Sequence, residues 1–198
     1  MLVCGLTGNF SSGKTLALGI LKDKGADVLS CDELVHSYYR DTNSEVFKKV
    51  AALFPDATDA FGISRVKLAG RVIANKTDRL KLESIVHPRV IADLKKWIKA
   101  ARGKKGIAIA EVPLLFEKNL ADLFDYTILV YVKRQQLISR IVKQKRFSKS
   151  QAEKMLSLFL PIRKKIREAD FLIDNNSNLK IFRKNIDCVF NSLNKINI

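Results

Sequence analysis

Gly8-Asn9-Phe10-Ser11-Ser12-Gly13-Lys14-Thr15 is a complete phosphate-binding loop. A short apolar strand, Leu2-Val3-Cys4-Gly5-Leu6, leads into it. A helical pattern from Leu16 to Lys22 leads out, with Gly25 available as a stop. In that order, successive backbone N–H groups and the positive helix end surround the β- and γ-phosphates of a nucleoside triphosphate. Gly8, Ser11, Ser12, Gly13, Lys14, Thr15 and Leu16 are therefore the expected nucleotide-binding residues. Lys14 is placed to reach the phosphates, and the Thr15 hydroxyl to ligate Mg²⁺. Asn9 and Ser11 stand where many such loops carry glycine. Asn9 tolerates a left-handed backbone, whereas Ser11 is the less comfortable choice. A chance match in a turn is the alternative, and the order of strand, loop and helix argues against it.

Two carboxylates stand at the ends of other strand candidates. Asp32, in Leu29-Ser30-Cys31-Asp32-Glu33, is placed either to accept a proton from an attacking hydroxyl or contact Mg²⁺, or else to cap the helix expected from Glu33. Glu111 ends Ile107-Ala108-Ile109-Ala110-Glu111, where an acid holds Mg²⁺ in phosphate-loop proteins, here through water given its length. A strand-end acid facing solvent is the other reading. His87 precedes Pro88, which is expected to start a helix, and His36 follows Asp32. Neither histidine has a partner arrangement for nucleophilic catalysis.

The elements that must position these groups read as an α/β protein. Strands are expected at Leu2–Leu6, Asp27–Ser30, Ile107–Val112, Tyr126–Val132 and Phe171–Ile173. Helical patterns lie between them, without a Gly/Ser linker or internal repeat. Short apolar runs separated by helices imply a parallel sheet covered on both faces, with ligands beyond the strands' carboxyl ends. Between the second and third strands five helices are expected: Glu33–Arg40, Ser44–Phe54, Ser64–Asn75, Thr77–Val86 and Pro88–Arg102. After Asn178, Leu179, Phe182, Ile186, Val189, Phe190 and Leu193 follow helical spacing. Residues 1–32, 103–134 and 168–198 form the expected nucleotide-binding core, 33–102 a helical substrate insert, and 135–167 a lid. A core, an insert and a lid together make a small-molecule kinase architecture.

At 198 residues and 47% hydrophobic content, the composition is that of a soluble chain with one main core. No apolar run approaches the about 20 residues a membrane helix needs, and the N-terminus enters the first strand directly, without a secretory signal. The three cysteines are too scattered for a disulfide framework, and Cys4 and Cys188 are expected in the core. A cytoplasmic protein follows from this reading. The net charge of +16 suits a polyanion partner, of which nucleic acid is the obvious one. From Lys133 to Arg167, however, the basic run carries no interleaved aromatic signature. A basic segment closing over ATP accounts for it better than a specific nucleic-acid site. Asp59-Ala60-Phe61-Gly62 and Asn75-Lys76-Thr77-Asp78 spell GTPase motifs, but the separation is too short for the helix and strand that a GTPase places between them. Thr77 is instead expected to cap a helix.

The chain resembles the bacterial dephospho-coenzyme A kinases from Gly5 to Asn175. Gly5-Leu6-Thr7-Gly8 with Ser12-Gly13-Lys14-Thr15, Cys31-Asp32-Glu33 and Leu82-Glu83-Ser84-Ile85-Val86-His87-Pro88 carry the resemblance. So do Val112-Pro113-Leu114-Leu115-Phe116-Glu117 and Ala169-Asp170-Phe171-Leu172-Ile173-Asp174-Asn175. It implies a P-loop kinase fold, with a five-stranded parallel sheet flanked by helices. It further implies ATP-dependent phosphorylation of the ribose 3′-hydroxyl of dephospho-coenzyme A, with Mg²⁺. Asp32 is then the base, Lys14 and Arg140 contact the phosphates, Thr15 and Glu111 hold the metal, and Asp32, His87, Pro88 and Leu114 contact the acceptor. A monomer or weak homo-oligomer without membrane attachment is expected. Ser30 stands where the family has an Asp, Gln144 where it has a second lid arginine, Phe159 where it has Gln, and Glu111 where Asp is common. A kinase for another small acceptor, such as a nucleoside monophosphate, and an RNA-binding protein using the loop as scaffold are the rival readings.

Overall fold

The computed structural model describes residues 1–59, 62–145 and 147–197. The chain divides into two units: Met1–Ser30 with Trp97–Ile198, and Cys31–Lys96.

In the first unit, β1 (Leu2–Gly8), β2 (Asp27–Ser30), β5 (Ile107–Glu111), β6 (Tyr126–Tyr131) and β7 (Phe171–Asp174) form a parallel sheet in the order β2-β5-β1-β6-β7. Parallel pairing needs crossovers that return the chain across a face, and these cover the sheet. The near-continuous burial of β1, β5 and β6 follows from that cover. α1 (Lys14–Asp23) and α9 (Leu179–Ile196) contribute Ala17, Leu21, Phe182, Ile186 and Leu193 to a core shared with Cys4, Leu6, Ile109 and Ile128.

α9 departs from expectation at two positions. Its core face is Phe182, Ile186, Val189 and Leu193. Cys188 therefore falls on the opposite side and is exposed, and Leu179, in the first turn, is 52% exposed. Cys4 does lie in the core. Burial, with Asp125 and Asp170 adding negative potential, pushes its thiol up to about 12, so it is inert at neutral pH.

Side chains pin the strand ends. Asp170 accepts from the Thr127 N–H at 2.7 Å and the Thr127 hydroxyl at 2.8 Å, locking β7 to β6. Asp125 accepts from the Val3 N–H at 2.8 Å. After β6 come α6 (Arg134–Lys145), α7 (Lys149–Leu156) and α8 (Ile162–Glu168). α7 opens on a capping box in which Ser148 and Gln151 satisfy each other's backbone N–H. The side chains of Gln144 and Lys145, and Arg146 as a whole, lie outside the described residues.

In the second unit, α2 (Cys31–Arg40), α3 (Glu45–Leu53), the short strands β3 (Thr58–Asp59) and β4 (Gly62–Ile63), and α4 (Arg65–Ala74) precede α5 (Lys76–Arg102). Their core is Tyr38, Tyr39, Val46, Val50, Phe54 and Leu68. β3 and β4 pair antiparallel, so Asp59 and Gly62 belong to a two-stranded ribbon instead of a GTPase switch. Ala60 and Phe61 lie outside the described residues.

Three local expectations give way here. The two helices expected on either side of Pro88 are one helix, α5, with the proline inside it. The missing N–H removes one helical bond, while Leu82, Ile85, Val86 and Val90 on both sides pack on the same core. Thr77 is not the cap of α5. The Asn75 carboxamide accepts from the Thr77 and Asp78 N–H groups at 2.8 and 3.2 Å. Asp32 is not a cap either, because α2 starts at Cys31, directly from β2.

Candidate active site

β1 delivers the chain to the phosphate loop at the carboxyl edge of the sheet, and Gly13 opens α1 at φ 96°. Ser11 holds φ 60°, a left-handed conformation that non-glycine residues rarely adopt. The residue judged less comfortable by type thus carries the strain, and the neighbouring Asn9 does not have positive φ. Strain of this kind persists where the surroundings over-determine it, and it clusters at ligand clamps.

Two glycines are required by contact. A Cβ at Gly8 would lie 2.6 Å from the Ser12 hydroxyl and 2.7 Å from the Val130 carbonyl. One at Gly13 would lie 2.5 Å from the Asn175 carboxamide nitrogen. That carboxamide donates to the Ser12 carbonyl at 2.8 Å. The Lys14 ammonium, largely buried, donates to the Asn9 carbonyl at 3.3 Å. Lys14 is folded back over the loop it serves, onto the same Asn9 carbonyl that accepts from the Ser12 N–H at 3.1 Å.

Strand pairing brings a second set of groups to the same edge. In register, Glu111 stands opposite both Leu6 and Ser30, and it is 1% exposed. Its carboxylate accepts from the Ser30 hydroxyl at 2.9 Å and from the Thr15 hydroxyl at 3.4 Å. A buried carboxylate needs such partners. Ser30, where an aspartate was expected by resemblance, thus serves as a hydroxyl donor to Glu111. A carboxylate flanked by two hydroxyls is an all-oxygen donor set, and hard divalent cations such as Mg²⁺ suit it.

Arg140, on α6, is half-buried and donates to the Asn175 carbonyl at 2.7 Å. Together with Ser11, Gly13, Lys14, Thr15, Leu16 and Asn175 it lines an open cleft of about 490 Å³. Leu16 and Leu179 line the same cleft and stay about half exposed. Apolar side chains left exposed beside a phosphate cradle suit the flat face of a nucleobase. Sequence reasoning missed Asn175 and Leu179. The available signals were a polar residue just past a strand that ends on the ligand edge, and an apolar residue at a helix start off the core stripe.

Leu114 is half-buried in the turn after β5, a segment tied to β1 by the Thr7 hydroxyl donating to the Pro113 carbonyl at 3.3 Å.

The structure thus gathers the phosphate loop, Glu111 and Arg140 in the first unit. Asp32, His87 and Pro88 belong to the second. Asp32 is exposed in the first turn of α2, where a carboxylate also favours the helix N-terminus. One turn on, burial and the Arg65 guanidinium hold His36 below its usual range. His87 Nδ1 sits 3.9 Å from the Glu83 carboxylate, and Pro88 is exposed. Nearby, Asp93 accepts from the Tyr38 hydroxyl at 2.6 Å and from Arg89 at 2.8 Å.

The sequence model of the dephospho-CoA kinase family matches residues 2–180. The dephospho-CoA kinase of Chlamydia trachomatis serovar D is 32% identical over 195 residues, which cover 98% of this chain and 96% of that protein. That of Carboxydothermus hydrogenoformans is 30% identical over 188 residues, covering 93% and 90%. Among solved structures, TT1252 from Thermus thermophilus superposes with a TM-score of 0.75 at 25% identity, covering 97% of each chain. The dephospho-CoA kinase from Campylobacter jejuni, at 22% identity and a TM-score of 0.70, shares the fold. On the match across nearly its whole length, this chain belongs to the dephospho-CoA kinase family.

Proposed function

We propose that this protein transfers the γ-phosphoryl group of ATP to the ribose 3′-hydroxyl of dephospho-coenzyme A, giving coenzyme A and ADP in the last step of coenzyme A synthesis. The observation that carries this reading is the family match over residues 2–180 joined to a phosphate loop at the sheet edge, where Thr15 and Ser30 converge on the buried Glu111.

The transfer is direct and in line. The loop amides, Lys14 and Arg140 stabilise charge developing on the transferring group, where preorganised donors contribute most. Thr15, with Glu111 through water, would hold Mg²⁺, which would supply charge neutralisation to the nucleotide's phosphates. Asp32 lies two residues beyond Ser30 along the chain. It orients the 3′-hydroxyl and takes its proton, a contribution of roughly 10²–10⁴-fold for a general base. His87, Pro88 and Leu114 contact the acceptor. Residues 135–167 supply the basic lid over the anionic substrates, with its first helix, α6, already seated against the phosphate loop through Phe10.

The test is ADP release from ATP with dephospho-coenzyme A, measured beside nucleoside monophosphates as competing acceptors. Acceptor-stimulated release with dephospho-coenzyme A alone is the expected pattern. Preference for a nucleoside monophosphate would replace this reading.

A further inference from the structure

An anion cradle is built from backbone N–H groups, so phosphate binding asks nothing of the side chain at position 10. Yet Phe10 stands there, between the polar residues Asn9 and Ser11. Its ring is half-buried against the cluster of Val132, Leu137, Ile141, Ala152 and Leu156. Leu137 and Ile141 belong to α6, the helix that also carries Arg140.

A second tether joins the same two elements. Arg140 donates to the Asn175 carbonyl at 2.7 Å, and the Asn175 carboxamide donates to the Ser12 carbonyl at 2.8 Å. The apolar tether leaves the loop one residue before the left-handed Ser11, and the polar one leaves it one residue after. The sharp bend at Ser11 thus presents Phe10 and Ser12 to different anchors. A helix held at two points on the loop carries its arginine at a fixed distance from the phosphates before ATP arrives. Such preorganisation is what makes a charge effective in the transition state.

We infer that Phe10 is a positioning residue for phosphoryl transfer: its ring sets the register of α6, and with it Arg140, on the phosphate loop. This rests on the proposed kinase reading. Misplacement of a catalytic group by about 1 Å can cost up to roughly 100-fold in rate, so Phe10→Ala lowers kcat about tenfold or more. Phe10→Leu, which keeps an apolar contact, recovers most of that loss.

The test is a double-mutant cycle with Arg140→Ala, together with hydrogen exchange of the nucleotide-free protein. The expected result is that Phe10→Ala costs turnover in the wild-type background and almost nothing once Arg140 is gone. A purely structural role predicts the same factor in both backgrounds, and that outcome would overturn the inference. Should Phe10→Ala not fold, Phe10→Val carries the same cycle. In exchange, Phe10→Ala speeds the amides of Leu137–Ile141 while the amides of β1 and β5 hold their protection. Unchanged α6 exchange would also overturn the inference. The exchange readout needs no acceptor, so it stands apart from a failure of the dephospho-coenzyme A assay.

Discussion

Lys165 offers the sharpest stability prediction. It lies on α8 with no exposed surface, and its ammonium is 2.6 Å from a Glu117 carboxylate oxygen. The same oxygen accepts from the Leu160 N–H at 3.0 Å, and the ammonium lies 5.1 Å from the centroid of the Phe159 ring. The ammonium finds no hydrogen bond of good angle among the described residues, so Coulomb attraction and the ring face stabilise it. Lys165→Met removes the cation and strands a carboxylate that is only 11% exposed. Breaking one side of a buried pair costs about 3–5 kcal/mol, a third or more of a typical total stability of about 10 kcal/mol. For a chain of this length, Tm should fall by roughly 6–20 °C.

Pairing Lys165→Met with Glu117→Gln removes the stranded charge and keeps an acceptor for the Leu160 N–H. The double variant should therefore recover at least about 2 kcal/mol of the loss, because a buried pair replaced as a pair costs far less than one broken. Calorimetric and urea unfolding of the wild type and both variants would read this. A single variant within about 1 kcal/mol of wild type, or a double no more stable than the single, would refute the reasoning.

Asp32→Asn should lower kcat by roughly 10²–10⁴-fold while leaving ATP affinity intact by calorimetry; unchanged turnover would remove Asp32 from its role. Gly13→Ala, with φ at 96° and a new Cβ placed 2.5 Å from Asn175, should abolish measurable nucleotide binding while the sheet still folds. Nucleotide affinity near wild type would contradict the cradle geometry. His36 has a folded pKa below its ordinary 6.5, from burial first and Arg65 second. Its neutral form is favoured by folding, so its contribution is full above pH 6.5 and fades as pH falls through the folded value. Urea midpoints should thus drop more between pH 7.5 and 5.5 for the wild type than for His36→Gln, and parallel drops would contradict the shift.

What could be read from residues alone was whatever depends on local pattern. The phosphate loop, the apolar β-branched strands and the α9 stripe through Phe182, Ile186 and Leu193 are short-range signals, and all stand in the structure. Long-range pairing is where the reading ran out. Nothing in Ser30 announces that β2 will lie beside β5 and aim its hydroxyl at Glu111, and nothing in Lys165 announces Glu117 across 48 positions of chain. Pro88 misled because a local rule for X-Pro lost to packing on both flanks. Cys188 misled because an apolar residue type says less than its angle around the helix.

The most direct test of the central claim is a coupled ADP-release assay on the purified protein with ATP, Mg²⁺ and dephospho-coenzyme A, run beside Lys14→Ala. Stoichiometric coenzyme A and ADP from the wild type, with turnover lost in Lys14→Ala, is the predicted result. ATP turnover indifferent to dephospho-coenzyme A, or undiminished in Lys14→Ala, would contradict it.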